Sequence, residues 1–264
     1  MNRQAEEFLA SDRTRPAAGV DHPHESAHLH VAGEALYVDD IPEIAGTVHA
    51  ALGLSEKAHA RIRSIDLAAV RAAPGVVAVL TAADIPGAND CGPIVHDDPI
   101  LADGLVQYVG QPMFVVVAES YDDARRAARN AKVDYDVLPP VLTPQEAKRM
   151  QSYVLPPMHL KRGEPVAAMA AAPRRLSGEF YVGGQEQFYL EGQISYAIPK
   201  EDGCIHLYCS TQHPTEMQLV VAHALNLVAN QVTVEMRRMG GGFGGKESQS
   251  ALFACVAAVA AQRV

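Results

Sequence analysis

Residues 236–249 read Met-Arg-Arg-Met-Gly-Gly-Gly-Phe-Gly-Gly-Lys-Glu-Ser-Gln, and five of the six residues from Gly240 to Gly245 are glycine. Glycine loses the most backbone freedom on folding, so a folded protein keeps such a run where the backbone turns sharply or lies against a ligand. Before the loop, apolar and polar residues alternate over 232–237, which is typical of a half-buried strand. After it, residues 249–261 are rich in alanine and lack proline and glycine, which predicts a buried helix. The sequence therefore predicts a strand, a glycine loop and a helix in succession.

The loop also matches two nucleotide-binding patterns in part. Gly240, Gly242 and Gly245 fit the Gly-x-Gly-x-x-Gly of dinucleotide-binding folds. That fingerprint needs an acidic residue about 20 residues further on, which would fall beyond Val264. A phosphate-binding P-loop needs a Ser or Thr hydroxyl where this sequence has Glu247, and a carboxylate would repel phosphate. Both nucleotide interpretations are therefore disfavoured.

Length and charge limit the class of protein. The 264 residues suggest about two domains, and the net charge of −9 argues against nucleic acid or an anionic membrane as the main partner. No signal peptide is visible near Met1, and the apolar run 251–261 is shorter than the roughly 20 residues that cross a bilayer. These features predict a cytoplasmic protein. No Cys-x-x-Cys pair occurs among the four cysteines, which favours free thiols.

The first half of the chain has the pattern of a mixed α/β domain. Buried or half-buried strands are predicted at 47–54, 76–81, 113–118 and 133–137, and helices at 65–73 and 121–131.

Two groups in this half could suggest chemistry. His22, His24, His28 and His30 lie close together, but their loose spacing favours an extended arm over a metal site. Asp39 and Asp40 could suggest a carboxylate pair, yet adjacent residues do not share a face in a strand, so we interpret them as turn residues.

The second half begins after a connection that is rich in proline and alanine. Strands are predicted at 179–182, 193–198, 204–209 and 232–236, and a helix is predicted to begin at Pro214.

Two long motifs carry a resemblance to a known family. One is Arg-Met-Gly-Gly-Gly-Phe-Gly-Gly-Lys-Glu at 238–247, and the other is Gly-Gly-Gln-Glu-Gln-Phe-Tyr-Leu-Glu at 183–191. Both resemble the molybdenum-binding subunit of the xanthine dehydrogenase family of molybdenum hydroxylases, and they occur in the family's order. Residues 30–40 and 109–112 resemble the hammerhead domain of the same subunit.

The resemblance implies an α+β fold in four parts. These are an extended arm at 1–26, an α/β hammerhead domain at 27–150, a linker at 151–177 and the start of the molybdenum cofactor-binding domain at 178–264.

The resemblance also implies roles for five residues. Gln185 matches the glutamine that hydrogen-bonds an oxygen of the molybdopterin-bound molybdenum, and Gly242, Phe243 and Gly244 match the loop whose backbone lies beside that centre. Glu247 matches the glutamate that contacts a purine substrate, and we expect it in the first turn of the following helix. Glu186 and Glu191 match the motif as well, and we assign them structural roles.

The implied reaction converts hypoxanthine and xanthine to urate in purine catabolism, with water as the oxygen source. The family's base, its substrate arginine and most pterin contacts lie outside this sequence. We therefore expect a separate chain to complete the molybdenum domain and to cover the helix at 249–261, which is apolar all round. The alternative is that the sequence is a truncated piece of a longer chain. Further subunits should carry 2Fe-2S clusters and FAD, with NAD as acceptor, in a twofold hetero-oligomer. The alternatives are an aldehyde- or N-heterocycle-oxidising relative and a non-catalytic assembly or interaction protein.

Overall fold

The computed structural model describes Gly19, Asp21 and residues 23–264. The chain divides into two compact units, 1–37 and 38–264. In the smaller unit, helix α1 (Ala27–Ala32) ends at Gly33, which adopts a left-handed conformation with φ 72°. His22 and most of the predicted arm lie outside the described residues.

The larger unit opens with a 3-10 turn at Val38–Asp40, so Asp39 and Asp40 lie in a turn as predicted. The elements that follow are β1 (His49–Leu54), β2 (Ala60–Asp66), α2 (Ala68–Arg71), β3 (Val76–Thr81), β4 (Leu105–Val106), β5 (Pro112–Ala118), α3 (Tyr121–Ala128) and β6 (Lys132–Val137). The strands form two antiparallel sheets, in the orders β1-β5-β3 and β4-β2-β6. All of β5 is buried, as its unbroken apolar sequence indicates.

One predicted element of this half is wrong in its type. A helix was expected over 65–73, but Ile65 and Asp66 end β2, where Ile65 pairs with Val133 of β6. Pairing with a distant strand therefore overrides the local helical spacing, and helix forms only at Ala68–Arg71.

The connection to the second half contains two short helices, α4 (Pro144–Met150) and α5 (Pro165–Ala171). Their first turns begin at proline, which suits a position where the backbone N–H has no helical partner. The strand predicted at 179–182 does not form, and most of 151–190 is exposed. Phe180 and Leu190 are 93% and 98% exposed, so this stretch buries little apolar surface within the described chain.

The second half contains a third sheet and two longer helices. The elements are β7 (Ser195–Pro199), β8 (Ile205–Cys209), α6 (Pro214–Leu225), β9 (Val232–Glu235) and α7 (Ser250–Arg263). The strand order is β7-β8-β9, with β7 antiparallel and β9 parallel to β8. Helix α6 connects the parallel pair, as a parallel connection requires. With the two antiparallel sheets, this confirms the α+β class.

Helix α7 lies inside the larger unit. It packs against α6, β7 and β8, and it also touches β1 of the first half. Eight of its residues are buried: Ser250, Ala251, Ala254, Cys255, Val256, Ala258, Val259 and Ala260. The prediction that this helix needs a second chain to cover it is therefore wrong, because the chain's own sheets and helices cover most of its surface.

The two halves of the larger unit are joined by a shared core and by hydrogen bonds. One apolar cluster includes Leu80 and Val117 of the first half together with Leu207 and Val259 of the second. Backbone N–H groups of Gly87 and Ala88 donate to the carbonyls of Ala224 and His223 at 2.9 and 3.1 Å. The Ala224 carbonyl lies in the last turn of α6, where helical partners run out, and the His223 carbonyl also accepts from the N–H of Asn226 at 3.3 Å.

Candidate functional site

The glycine loop between β9 and α7 turns through left-handed backbone. Gly241 and Gly244 have φ of 100° and 85°, which explains glycine at these two positions. Phe243 lies between them with φ 51° although it carries a bulky side chain. Its ring is 75% exposed. A bulky residue in this region is a backbone outlier that the surrounding contacts must hold in place, and such outliers cluster at functional sites.

One wall of contacts comes from the segment that follows β8. The side-chain Oε1 of Gln212 accepts hydrogen bonds from the backbone N–H groups of Gly244 and Lys246, at 3.0 and 3.2 Å. The backbone N–H of Gln212 and the hydroxyl of Thr211 donate to the Lys246 carbonyl, at 2.7 and 3.1 Å. Hydrogen bonds from this segment therefore hold both the N–H and the carbonyl group of Lys246.

The other wall comes from the second motif, at 183–191. The N–H of Glu191 donates to the Gly240 carbonyl at 3.3 Å, and the N–H of Gly240 donates to Glu191 Oε2 at 2.8 Å. A Cβ at Gly240 would lie 2.5 Å from Glu191 Cβ, and one at Gly245 would lie 2.8 Å from the Tyr189 ring. The fold thus brings the two motifs together, and glycine is needed where their backbones meet.

A buried ion pair lies at this junction. Lys246 Nζ donates to the Glu191 carbonyl at 2.7 Å, to Ser210 Oγ at 2.8 Å and to Glu191 Oε2 at 3.2 Å. It also lies 4.5 Å from the centre of the Tyr189 ring. The Lys246 side chain is 0% exposed and that of Glu191 is 8% exposed. All three donors of the ammonium are therefore used in a site closed to solvent.

The ionised form of Glu191 is favoured by its neighbours. Burial raises the pKa of Glu191, but hydrogen bonds from Ser210, Gly240 and Lys246 outweigh that effect and leave the pKa below its usual value. These three donors all reach Oε2, whereas the buried Oε1 has no hydrogen-bond partner among the described residues.

The side chains predicted for cofactor and substrate are not packed into the core. Gln185, Phe243 and Glu247 are exposed. Gly244 is exposed as well, with no atom within 4 Å of the place where a Cβ would stand, while Gly242 is buried against Gln212. The loop thus carries exposed backbone at Phe243 and Gly244 and an exposed carboxylate at Glu247, and the buried Lys246–Glu191 pair supports it.

One detail of the predicted site is wrong. Glu247 was expected in the first turn of the following helix, but α7 begins at Ser250. Hydrogen bonds from Thr211 and Gln212 hold the Lys246 carbonyl, and the chain becomes helical only after that anchor. A direct effect of the helix dipole on Glu247 therefore has no support, because that effect is confined to the first turn.

Sequence reasoning missed two residues that hold this site. Lys246 entered the sequence analysis only as one letter of the 238–247 motif, and Gln212 was not singled out. A lysine between a glycine loop and an apolar helix was an available signal, since a lysine is almost never fully buried unless it is paired. Nothing local to Gln212 predicted its bonds to Gly244 and Lys246, which lie far along the chain.

Other features of the structure lie away from the loop. A cleft of about 380 Å³ is lined by residues 44–48, strand β7 and the end of α7. Among the residues that the structure describes, no three His, Cys, Asp or Glu side chains come together as a set of metal ligands. No helix in the described part of the chain is long and apolar enough to cross a bilayer.

Comparison with family models identifies both halves. Residues 32–139 match the model "Aldehyde oxidase and xanthine dehydrogenase, a/b hammerhead domain", and residues 145–264 match "Molybdopterin cofactor-binding domain". The order of the two domains is the one that the resemblance implied, with the hammerhead domain before the cofactor-binding domain.

Individual relatives agree with these models. The chain is 42% identical over 253 residues to xanthine dehydrogenase of Oryza sativa subsp. japonica, covering 94% of this chain and 18% of that protein. It is also 42% identical over 240 residues to aldehyde oxidase 2 of Cavia porcellus, covering 90% and 18%. The solved structure of aldehyde oxidoreductase from Desulfovibrio gigas superposes with a TM-score of 0.80 at 26% identity, over 92% of this chain and 29% of that chain.

The chain thus spans about a fifth of the length of the curated relatives that it matches. Within that part it carries a hammerhead domain followed by molybdopterin-binding sequence, with both loop motifs in contact. The chain belongs to the xanthine dehydrogenase and aldehyde oxidase family of molybdenum hydroxylases.

Proposed function

We propose that this chain supplies one wall of the molybdenum site of a xanthine dehydrogenase-type hydroxylase, which oxidises hypoxanthine and xanthine to urate with oxygen taken from water. The observation that carries the proposal is the contact between the two motifs. The N–H of Gly240 reaches Glu191 Oε2 at 2.8 Å, so the exposed residues Gln185 and Phe243 belong to segments that share one support.

The residues present suit the molybdenum–molybdopterin cofactor. Phe243 and Gly244 offer backbone at an open surface beside the buried Gly242, and no described atom stands within 4 Å of a Cβ at Gly244. The amide of Gln185 is a neutral hydrogen-bond donor, which can contact an oxygen of the cofactor without adding charge. When bound, the cofactor supplies the redox chemistry that adds an oxygen atom to the substrate and takes up two electrons.

Glu247 has a different role in the proposal. Its exposed carboxylate accepts hydrogen bonds from the N–H groups of a purine and orients the ring for attack. In this proposal Glu247 binds and orients the substrate, and a different residue abstracts the essential proton.

The remaining site and the electron acceptors belong to partners in this proposal. A separate chain completes the molybdenum domain, and further subunits carry 2Fe-2S clusters and FAD, with NAD as final acceptor, in a cytoplasmic twofold hetero-oligomer. Support comes from large apolar side chains that are at least 86% exposed in the stretch before β7: Leu176, Phe180, Tyr181, Phe188 and Leu190. This stretch, rather than α7, is the surface that the partner covers. The division into an arm at 1–26, a hammerhead domain at 27–150, a linker at 151–177 and a cofactor domain from 178 also remains a proposal.

An aldehyde- or N-heterocycle-oxidising enzyme is the second candidate. The identity of 42% to an aldehyde oxidase equals that to the rice xanthine dehydrogenase. Glu247 favours a purine, since the resemblance places an apolar residue at this position in aldehyde-oxidising relatives.

Elemental analysis of the purified assembly tests the proposal. We expect molybdenum in the preparation and faster turnover of xanthine than of an aromatic aldehyde. Molybdenum with turnover of the aldehyde alone would support the second candidate. An active assembly without molybdenum would overturn both.

A further inference from the structure

Lys246 is a charged residue in a place where charge is costly. Its side chain is 0% exposed, although it follows an open, glycine-rich loop. A buried lysine is tolerated when its charge is paired and its donors are used. Lys246 meets both conditions, with Glu191 as its counter-charge and with three oxygen acceptors within 3.2 Å.

The contacts of Lys246 join three separate stretches of chain. Its ammonium reaches Glu191 and the Tyr189 ring in the second motif, and it reaches Ser210 just after β8. The backbone N–H of Lys246 donates to the side chain of Gln212, and its carbonyl accepts from the backbone N–H of Gln212. The exposed Phe243 and Glu247 stand on either side of this anchor, within three residues of it.

We propose that Lys246 is a positioning residue, whose buried ammonium locks the glycine loop against the 183–191 motif in a single register. The importance of that register for the cofactor rests on the proposed function. A shift of either segment would leave the ammonium or the Glu191 carboxylate buried without its partner, and an unpaired buried charge is strongly unfavourable. The ion pair thereby penalises other arrangements of the backbone around Phe243, Gly244 and Glu247.

The test compares Lys246→Met with the double variant Lys246→Met/Glu191→Gln, both in the assembled protein. The single variant leaves a buried carboxylate without its lysine, so we expect a clear fall in Tm. The double variant removes both charges but keeps a side-chain oxygen that can accept from the Gly240 N–H. We therefore expect its Tm to regain most of the loss that the single variant shows.

Amide hydrogen exchange separates positioning from general stability. We expect exchange at residues 191, 244 and 246 to be at least tenfold faster in the double variant, although each of these amides keeps its own acceptor. Amides of β5 (Pro112–Ala118) serve as the reference and should exchange as in the unmodified protein.

Two outcomes would overturn the proposal. One is a double variant with normal exchange at the three loop amides. The other is faster loop exchange together with full molybdenum loading and unchanged kcat and KM. Failure of the proposed function would look different, because molybdenum would then be missing from the unmodified protein while the exchange result would stand.

Discussion

The two faces of the glycine loop differ in burial, and the difference separates a buried support from the exposed surface that the proposed function uses. On the inner face, the side chains of Lys246 and Glu191 are 0% and 8% exposed, and the ammonium of Lys246 uses all three of its donors. On the outer face, Phe243 and Glu247 are exposed. A buried ion pair and a strained exposed loop are each unfavourable alone. Together they place an exposed loop backbone on a buried support.

The largest effect is expected from the inner face. Glu191→Ala leaves the Lys246 ammonium buried without a counter-charge, and breaking a buried pair in this way costs about 3–5 kcal/mol of unfolding free energy. Denaturant unfolding measures the loss. The matched control is Glu247→Ala, an exposed glutamate on the same loop, which should change the free energy by less than about 0.5 kcal/mol. Equal losses in the two variants would remove the distinction between the faces.

A substitution on the outer face should lower the catalytic rate constants and leave the unfolding free energy nearly unchanged. If Glu247 contacts the substrate, Glu247→Ala removes a hydrogen bond to a charged group, worth about 1.5–3 kcal/mol. Because about 1.36 kcal/mol is tenfold in rate, kcat/KM for xanthine should fall by about ten- to a few hundred-fold in the assembled enzyme. Molybdenum content should not change. An unaltered kcat/KM would mean that Glu247 faces solvent during turnover.

The same substitution, glycine to alanine, can be compared at two positions of the loop. A methyl group at Gly240 would stand 2.5 Å from Glu191 Cβ, so Gly240→Ala should cost about 1–3 kcal/mol by overpacking. Gly244→Ala meets no atom within 4 Å, and its cost of about 1–2 kcal/mol comes from the left-handed backbone alone.

Adding Glu191→Gly to each alanine variant separates the cost of overpacking from the cost of the left-handed backbone. Removing the Glu191 side chain should lessen the further cost of Gly240→Ala and leave that of Gly244→Ala unchanged. An identical cost of Gly240→Ala in both backgrounds would show that the two motifs do not press on each other.

The sequence predicted what depends on local pattern. Strand β9, the glycine loop and helix α7 follow from alternation, glycine content and an apolar run, and all three form. Errors arose where distant residues decide. Ile65 joins a strand because Val133 pairs with it, and Glu247 precedes the helix because Thr211 and Gln212 hold the preceding carbonyl.

The burial of α7 could not be predicted for a related reason. Its composition correctly indicated that its surface must be covered, but composition does not say by what. The structure shows cover from sheets in both halves of the larger unit, whereas a group of strongly exposed apolar residues lies at 176–190. The apolar pattern of a helix thus predicts that its surface is buried, but only the tertiary structure shows which elements bury it.

The smallest expected effect concerns pH and again separates the faces. The folded-state pKa of Glu191 lies below its usual value of 4.5 because hydrogen bonds from Ser210, Gly240 and Lys246 outweigh the opposing effect of burial. A carboxyl group with a lowered pKa contributes stability that is fully present above the unfolded-state pKa and is lost as pH falls through the folded-state value. The unfolding free energy of the protein should therefore exceed that of Glu191→Gln most at neutral pH. The gap should narrow steadily once the pH falls below about 4.5, the usual glutamate value. Denaturant unfolding at pH 7 and at several pH values between about 5 and 3 measures it. A gap that stays constant or widens in acid would show that the Glu191 carboxylate is not held in its ionised form, and the inner face would then lack the charge pair on which the comparison depends.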